Sequence, residues 1–168
     1  FTMGVVNSMT EVDGQIIFVG QVQDNENAQY IEAAKWVNGV YERANPKSLR
    51  TDHMGEEALV NTCYKISEDG KVILGSLEYN ARPNATVFIT TPNDAFTIET
   101  KTEQNKNLSY IFWPRMSANG KYITGCYRHV VFNAGEEFAD PDIYQPFIYD
   151  VETKQFQMIE NSMMEWGG

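Results

Sequence analysis

The sequence has little cysteine and no long apolar run. Its two cysteines, Cys63 and Cys126, are too few for a disulfide framework. We interpret them as two small, half-buried thiols, with a single bridge as the alternative. No stretch approaches the roughly 18 consecutive apolar residues that a spanning helix needs. We therefore predict no membrane insertion.

Positive charge is also scarce. The chain carries 13 Lys and Arg against 23 Asp and Glu, a formal net charge of −10, and its pI is near 4.6. Nucleic-acid binding needs a concentrated basic stripe that neutralises phosphates, whereas these basic residues are scattered. The sequence therefore predicts no nucleic-acid partner and a negative field that favours solubility.

Recognisable catalytic and metal-binding motifs are missing. There is no phosphate-binding loop, nucleophile elbow or dinucleotide fingerprint. Of the two histidines, His53 lies in an acidic stretch at 50–57, and His129 has no Cys or Asp partner at metal-ligand spacing. The acidic segments 24–27 and 135–142 do not follow the EF-hand pattern. We interpret the segments at 50–57 and 135–142 as surface loops and 24–27 as a hairpin turn, place His129 at a strand end, and predict no catalytic residue, metal or cofactor.

Glycine and aromatic residues, in contrast, are arranged in a repeated pattern. Segments 8–20, 65–76 and 115–126 each place a Gly after Asp or Asn, then a β-branched or aromatic strand, then a second Gly. The first glycines, at 14, 70 and 120, suit the positive φ of a tight hairpin. The second, at 20, 75 and 125, predict a bulge or a close backbone approach inside a strand.

A second hairpin follows each of these segments. Its turns fall at 38–39, 92–94 and 152–154, and we place Trp36, Phe88 and Tyr149 at one equivalent position. Four short strands in about 50 residues is the size of one propeller blade. We predict an all-β, antiparallel, propeller-like single domain over 1–168, with about three blades at 5–45, 60–100 and 110–160. Segment 48–60 is predicted to be a long loop with one helical turn.

The third copy carries the closest family resemblance. It contains Met-Ser-Ala-Asn-Gly-Lys-Tyr-Ile at 116–123 and Phe-Ile-Tyr-Asp-Val-Glu-Thr-Lys at 147–154. This pattern resembles TolB-type, WD40-like β-propeller repeats, although the insert at 128–144 and the irregular period depart from it. The resemblance implies the fold and a bacterial envelope or secreted location. Because propellers close with roughly four to eight blades, we expect either further blades or association with another copy through open sheet faces.

Aromatic residues give the best indication of function. Exposed aromatic side chains beside polar groups suit the capture of carbohydrate or protein. Five residues flank loops between predicted strands and are expected to be exposed and to bind ligand: Tyr79, Arg82, Tyr127, Arg128 and Tyr144. The sequence thus favours a non-enzymatic binding or scaffold module. The alternative is the blade region of a propeller hydrolase or lyase whose catalytic residues lie on loops or outside this segment.

Overall fold

The computed structural model describes residues 4–23, 30–49, 57–79, 82–98, 110–129, 143–159 and 164–165. Over these residues it contains strands, turns and one 3-10 turn at Lys47–Leu49, with no α-helix. The strands are β1 (Gly4–Val12), β2 (Gln15–Gln23), β3 (Ile31–Val37), β4 (Val40–Arg43), β5 (Val60–Ile66), β6 (Ile73–Tyr79), β7 (Arg82–Thr90), β8 (Ala95–Thr97), β9 (Tyr110–Met116), β10 (Tyr122–His129), β11 (Ile143–Asp150), β12 (Gln155–Met158) and β13 (Met164–Glu165).

The strands form three antiparallel meanders of four. The first meander (β1–β4) and the second (β5–β8) belong to one eight-stranded sheet, which is continuous through a single parallel pairing of Ile31 with Val60. The third meander (β9–β12), with β13 beside β11, forms a five-stranded sheet. The all-β, mostly antiparallel class predicted from the sequence is confirmed.

The chain divides into two compact units. The first consists of residues 1–98 and 116–120, and the second of residues 99–115 and 121–168. The first two meanders therefore belong to the first unit, and most of the third meander belongs to the second. The expectation that the chain acts as a single domain stays a prediction.

The hairpin turns follow the local sequence. Asp13 and Gly14, between β1 and β2, both have positive φ (50° and 74°), as do Asn38 and Gly39 between β3 and β4 (48° and 84°). Two consecutive positive φ angles define the tight turn that matches the twist of a hairpin. At the corresponding turns before β6 and β10, only Gly70 and Gly120 have positive φ (73° each). These two turns are longer. An Asp-Gly or Asn-Gly pair therefore occurs here both in two-residue hairpin turns and in longer turns.

The second glycines lie where neighbouring backbone comes close, as predicted. Gly20 pairs with Val6 beside a bulge in β1, and Gly75 pairs with Cys63 beside a bulge in β5. A Cβ at Gly20 would overlap the carbonyl oxygen of Val5, and at Gly75 it would overlap that of Thr62. At Gly125 it would lie 2.8 Å from the carbonyl oxygen of Phe112.

The register corrects one predicted equivalence. Gly20 pairs with Ala34, Gly75 with Phe88 and Gly125 with Phe147. Phe88 therefore corresponds to Ala34 and Phe147, whereas Trp36 and Tyr149 lie two residues further along their strands. Placing all three aromatic residues at one position was wrong for Phe88. Since side chains alternate with a period of two, the shift leaves Phe88 on the expected face.

The first two meanders pack face to face around one apolar core. The first meander contributes Ile17, Val19, Ala33 and Ala44, and the second contributes Ala58, Cys63, Ile66, Ile73, Leu77, Tyr79 and Phe88. Polar contacts join the same faces: Asn7 Nδ2 donates to the carbonyl oxygen of Cys63 at 2.8 Å, and Thr10 Oγ1 donates to that of Glu68 at 2.8 Å. Side-chain packing thus joins the two meanders in addition to the strand pairing at Ile31 and Val60.

Candidate functional site

Two of the five predicted ligand-binding residues are buried. Tyr79 is 7% exposed and packs in the core of the first unit, and Tyr127 is 2% exposed, with its ring 5.8 Å from that of Phe156. The expected exposure of both was wrong. Each tyrosine shares a strand face with the second glycine of its hairpin, and that face is turned inward in these strands.

The two predicted arginines are placed only through their backbone. Arg82 pairs with Tyr79 across β6 and β7, and Arg128 pairs with Tyr144 across β10 and β11. Their side chains lie outside the described part of the structure. The proposed roles of Arg82 and Arg128 in ligand binding stay predictions.

Tyr144 belongs to a cluster of three aromatic rings that is partly open to solvent. Its ring lies 6.4 Å from that of Trp113 at an interplanar angle of 24°, a stacked arrangement. The ring of Phe112 meets Tyr144 edge-on at 5.8 Å. Trp113 is 61% exposed, while Phe112 and Tyr144 are half-buried. We call these three residues the aromatic platform.

The backbone at Trp113 is unusual. Its φ is 50°, in the left-handed region, and it lies inside β9 directly before Pro114. An L-residue with a bulky side chain loses about 1 kcal/mol or more in this conformation. Strain of this kind persists only where the surrounding structure enforces it, and it is concentrated at functional sites. In this chain the strained backbone belongs to Trp113, whose large side chain is exposed rather than packed in the core.

Sequence reasoning found one member of the platform and missed the arrangement. Tyr144 was predicted from its position beside a loop, but nothing local to Trp113 marks a positive φ. One signal is the alignment of 115–126 with 65–76, because it places Trp113 at the position of Cys63, where β5 has a bulge. A bulge in that strand would have predicted an irregular backbone there.

A buried carboxylate on the first meander, Glu32, lies at the centre of a polar cluster. Glu32 Oε2 accepts a hydrogen bond from Arg43 Nε at 2.9 Å, and Glu32 Oε1 accepts one from Arg43 Nη2 at 2.5 Å. Tyr41 OH donates to Glu32 Oε2 at 3.2 Å. Burial, followed by the Glu32 charge, raises the pKa of Tyr41. A two-pronged arginine–carboxylate pair of this kind holds β3 and β4 together, and we assign it a structural role.

The cysteines are both free, as predicted. Cys63 is fully buried, and burial raises the pKa of its thiol. Because the thiolate is the reactive form, Cys63 is unsuited to act as a nucleophile. Cys126 is half-buried.

The described residues contain no group of three His, Cys, Asp or Glu side chains arranged to hold a metal ion. His53 and the acidic segments 24–27 and 135–142 lie outside the described residues, as does the side chain of His129. No helix in the described part of the chain is long and apolar enough to cross a membrane.

Comparison with models of known protein families gave no match, and comparison with curated proteins gave no significant similarity. A functional assignment therefore depends on the geometry of the aromatic platform.

Proposed function

We propose that this chain is a carbohydrate-binding module whose ligand stacks on Trp113 and Tyr144. The observation that carries the proposal is the stacked pair itself: an exposed indole, held at positive φ, almost parallel to a neighbouring phenol ring. A pyranose ring presents a flat face of C–H groups, and such a face packs well on an aromatic plane. Exposed aromatic clusters are typical of binding sites rather than of unused surface.

The charge of the chain narrows the ligand class. With a net charge of −10, the molecule repels polyanions over the range that salt leaves unscreened. Neutral glycans therefore suit the platform better than sulfated or uronic-acid polymers.

We further propose that each four-stranded meander is one blade of a β-propeller repeat of the TolB-like, WD40-like kind. Three features support this proposal: the four-stranded antiparallel order, the face-to-face packing of the first two meanders, and the shared register around Gly20, Gly75 and Gly125. An envelope or secreted location belongs to the same proposal. A blade scaffold that presents an exposed aromatic side chain such as Trp113 suits a binding role.

The test is binding of neutral oligosaccharides, first on a glycan array and then by titration calorimetry with the best array ligand. Trp113→Ala should weaken binding at least tenfold, which corresponds to about 1.4 kcal/mol. Tyr144→Phe keeps the ring and should change affinity less than about threefold, or about 0.6 kcal/mol.

Tyr64→Ala is the matched control, because it removes another partly exposed aromatic ring from the first unit. It should leave affinity unchanged. Glycan binding that survives Trp113→Ala, or binding only to peptides on a parallel array, would overturn the carbohydrate proposal. Turnover of a bound glycan would favour the hydrolase or lyase alternative instead.

A further inference from the structure

The first and second meanders differ in how well one equivalent face is covered. The face is the one that carries Gly20 in the first meander and Gly75 in the second, and we call it the glycine face. In the second meander, Cys63 is 0% exposed and Ile66 is 2% exposed, because the first meander packs on them. The residues at the same register positions in the first meander are Val6 and Met9, which are 55% and 60% exposed.

Further apolar side chains extend this open face. Phe18 pairs with Met9 and is half-buried, and Ile16, two residues earlier on the same strand face, is exposed. A row of exposed apolar side chains on a sheet is uncommon in a soluble monomer and indicates an interaction surface. The packing within the first unit shows what covers such a face: the opposite face of another four-stranded meander.

The third meander differs from the first in its other face. On its glycine face Ile123, Tyr127 and Phe147 are buried, whereas Trp113, at the position of Cys63, is exposed. Its opposite face carries Thr124 paired with Ile148, and Tyr122 two residues before Thr124. Thr124, Ile148 and Tyr122 are all exposed, and an open groove of about 640 Å³ runs beside Ile148 and Ile159. In the first meander the positions of Tyr122 and Thr124 are held by Ile17 and Val19, which pack on the glycine face of the second meander, and the position of Ile148 is held by Lys35.

We propose that a second copy of this chain covers the open part of the first meander's glycine face, formed by Val6, Met9 and Ile16, with the Thr124–Ile148 face of its own third meander. The contact is heterologous, since two different faces meet, so it closes into a ring or extends into a chain of copies. The inference does not depend on what the aromatic platform binds.

The experiment measures molar mass by size-exclusion chromatography with light scattering over a wide concentration series. The unmodified chain should reach at least twice 19.1 kDa. Met9→Glu and Ile148→Glu each place a charge on one of the two faces, and each variant alone should associate at least tenfold more weakly. Val40→Glu makes a similar change at the exposed β3–β4 turn and should associate like the unmodified chain.

Mixing the two variants distinguishes this contact from a symmetric one. Met9→Glu leaves the Thr124–Ile148 face intact, and Ile148→Glu leaves the glycine face intact, so an equimolar mixture should form a one-to-one complex that grows no further. A monomeric unmodified chain would overturn the inference. So would association that Met9→Glu disrupts and Ile148→Glu does not, which is the result expected for symmetric pairing through the β1 edge. Glycan binding by a monomeric chain would overturn this inference and leave the proposed function standing.

Discussion

At the scale of single residues, glycine has two different roles in this chain. Gly14 supplies a positive φ at a turn, and a Cβ there would meet nothing within 4 Å. Gly75 has no such backbone requirement, but a Cβ there would overlap both the carbonyl oxygen of Thr62 and the ring of Phe88. One position needs conformational freedom, and the other needs space.

Substitution by alanine separates these two roles. Gly14→Ala should lower the free energy of unfolding by about 1 kcal/mol, the cost of a side chain in the left-handed region. Gly75→Ala should lower it by about 3 kcal/mol, because the overlap involves backbone and a buried ring that cannot move aside. Urea denaturation measures both values. Equal losses would show that the core around Gly75 relaxes more easily than its geometry indicates.

At the scale of elements, the turn before β6 depends on one serine. Ser67 is fully buried, and its Oγ accepts hydrogen bonds from the backbone N of Val72 at 2.9 Å and of Lys71 at 3.2 Å. The same hydroxyl donates to Asp69 Oδ1 at 2.6 Å. That hydrogen bond, followed by the one from the Lys71 backbone, lowers the pKa of the Asp69 carboxyl. The longer turn is thus held by side chains, whereas the two-residue turn at Asp13-Gly14 is held by its backbone conformation.

Ser67→Ala should lower the free energy of unfolding by about 1–3 kcal/mol, since it removes the acceptor of the half-buried Val72 N–H, while the Lys71 N–H keeps Asp69 Oδ1. Ser117→Ala is the matched control in the following copy. It should cost less, because Ser117 is only half-buried and water can replace its hydroxyl. Chemical denaturation of both variants at pH 7 gives the comparison. A larger loss of unfolding free energy for Ser117→Ala than for Ser67→Ala would contradict this expectation.

The turn before β6, which contains Asp69, should make the stability of the chain depend on pH. Because folding lowers the pKa of Asp69, its stabilising effect is complete above the unfolded carboxyl pKa, near 4. The effect is lost as the pH falls from there through the lower folded value. The difference in urea midpoint between the unmodified chain and Asp69→Asn should therefore shrink between pH 7 and pH 3. A difference that stays constant over this range would show that ionised Asp69 adds nothing to the turn.

What could be predicted from the sequence was mostly local. Asp13-Gly14 and Asn38-Gly39 specify their turns through their own φ preferences, and Gly20 and Gly75 mark close approaches because a strand rarely places glycine elsewhere. The exposure of Tyr79 and Tyr127 could not be read in this way, since it depends on which face of the sheet another element covers. The positive φ of Trp113 has no local signal either, since only its alignment with the bulge at Cys63 points to it.

At the scale of the whole molecule, Cys63 reports on the integrity of the first unit. Its thiol lies in the core where the first two meanders meet, opposite Gly75. Reagents reach it only when this packing opens, and its raised pKa slows the reaction further.

In a Cys126→Ser background, alkylation of Cys63 under native conditions should be at least about a thousandfold slower than in urea, which corresponds to about 4 kcal/mol of opening. Gly75→Ala should speed it up, because that substitution strains the same core. Intact-mass spectrometry over time follows the reaction. Rapid alkylation of Cys63 in the native chain would show that the meanders separate easily.

The packing of unlike faces in the first unit also has an evolutionary consequence. When one face of a meander fits the opposite face of the next, duplication of the encoding segment adds a unit whose contacts already exist. No new surface has to be selected before the longer chain can fold. Because unlike faces meet, an array of such meanders always has two unmatched faces, one at each end. Adding a copy does not remove them, so selection acts on how those two ends are covered.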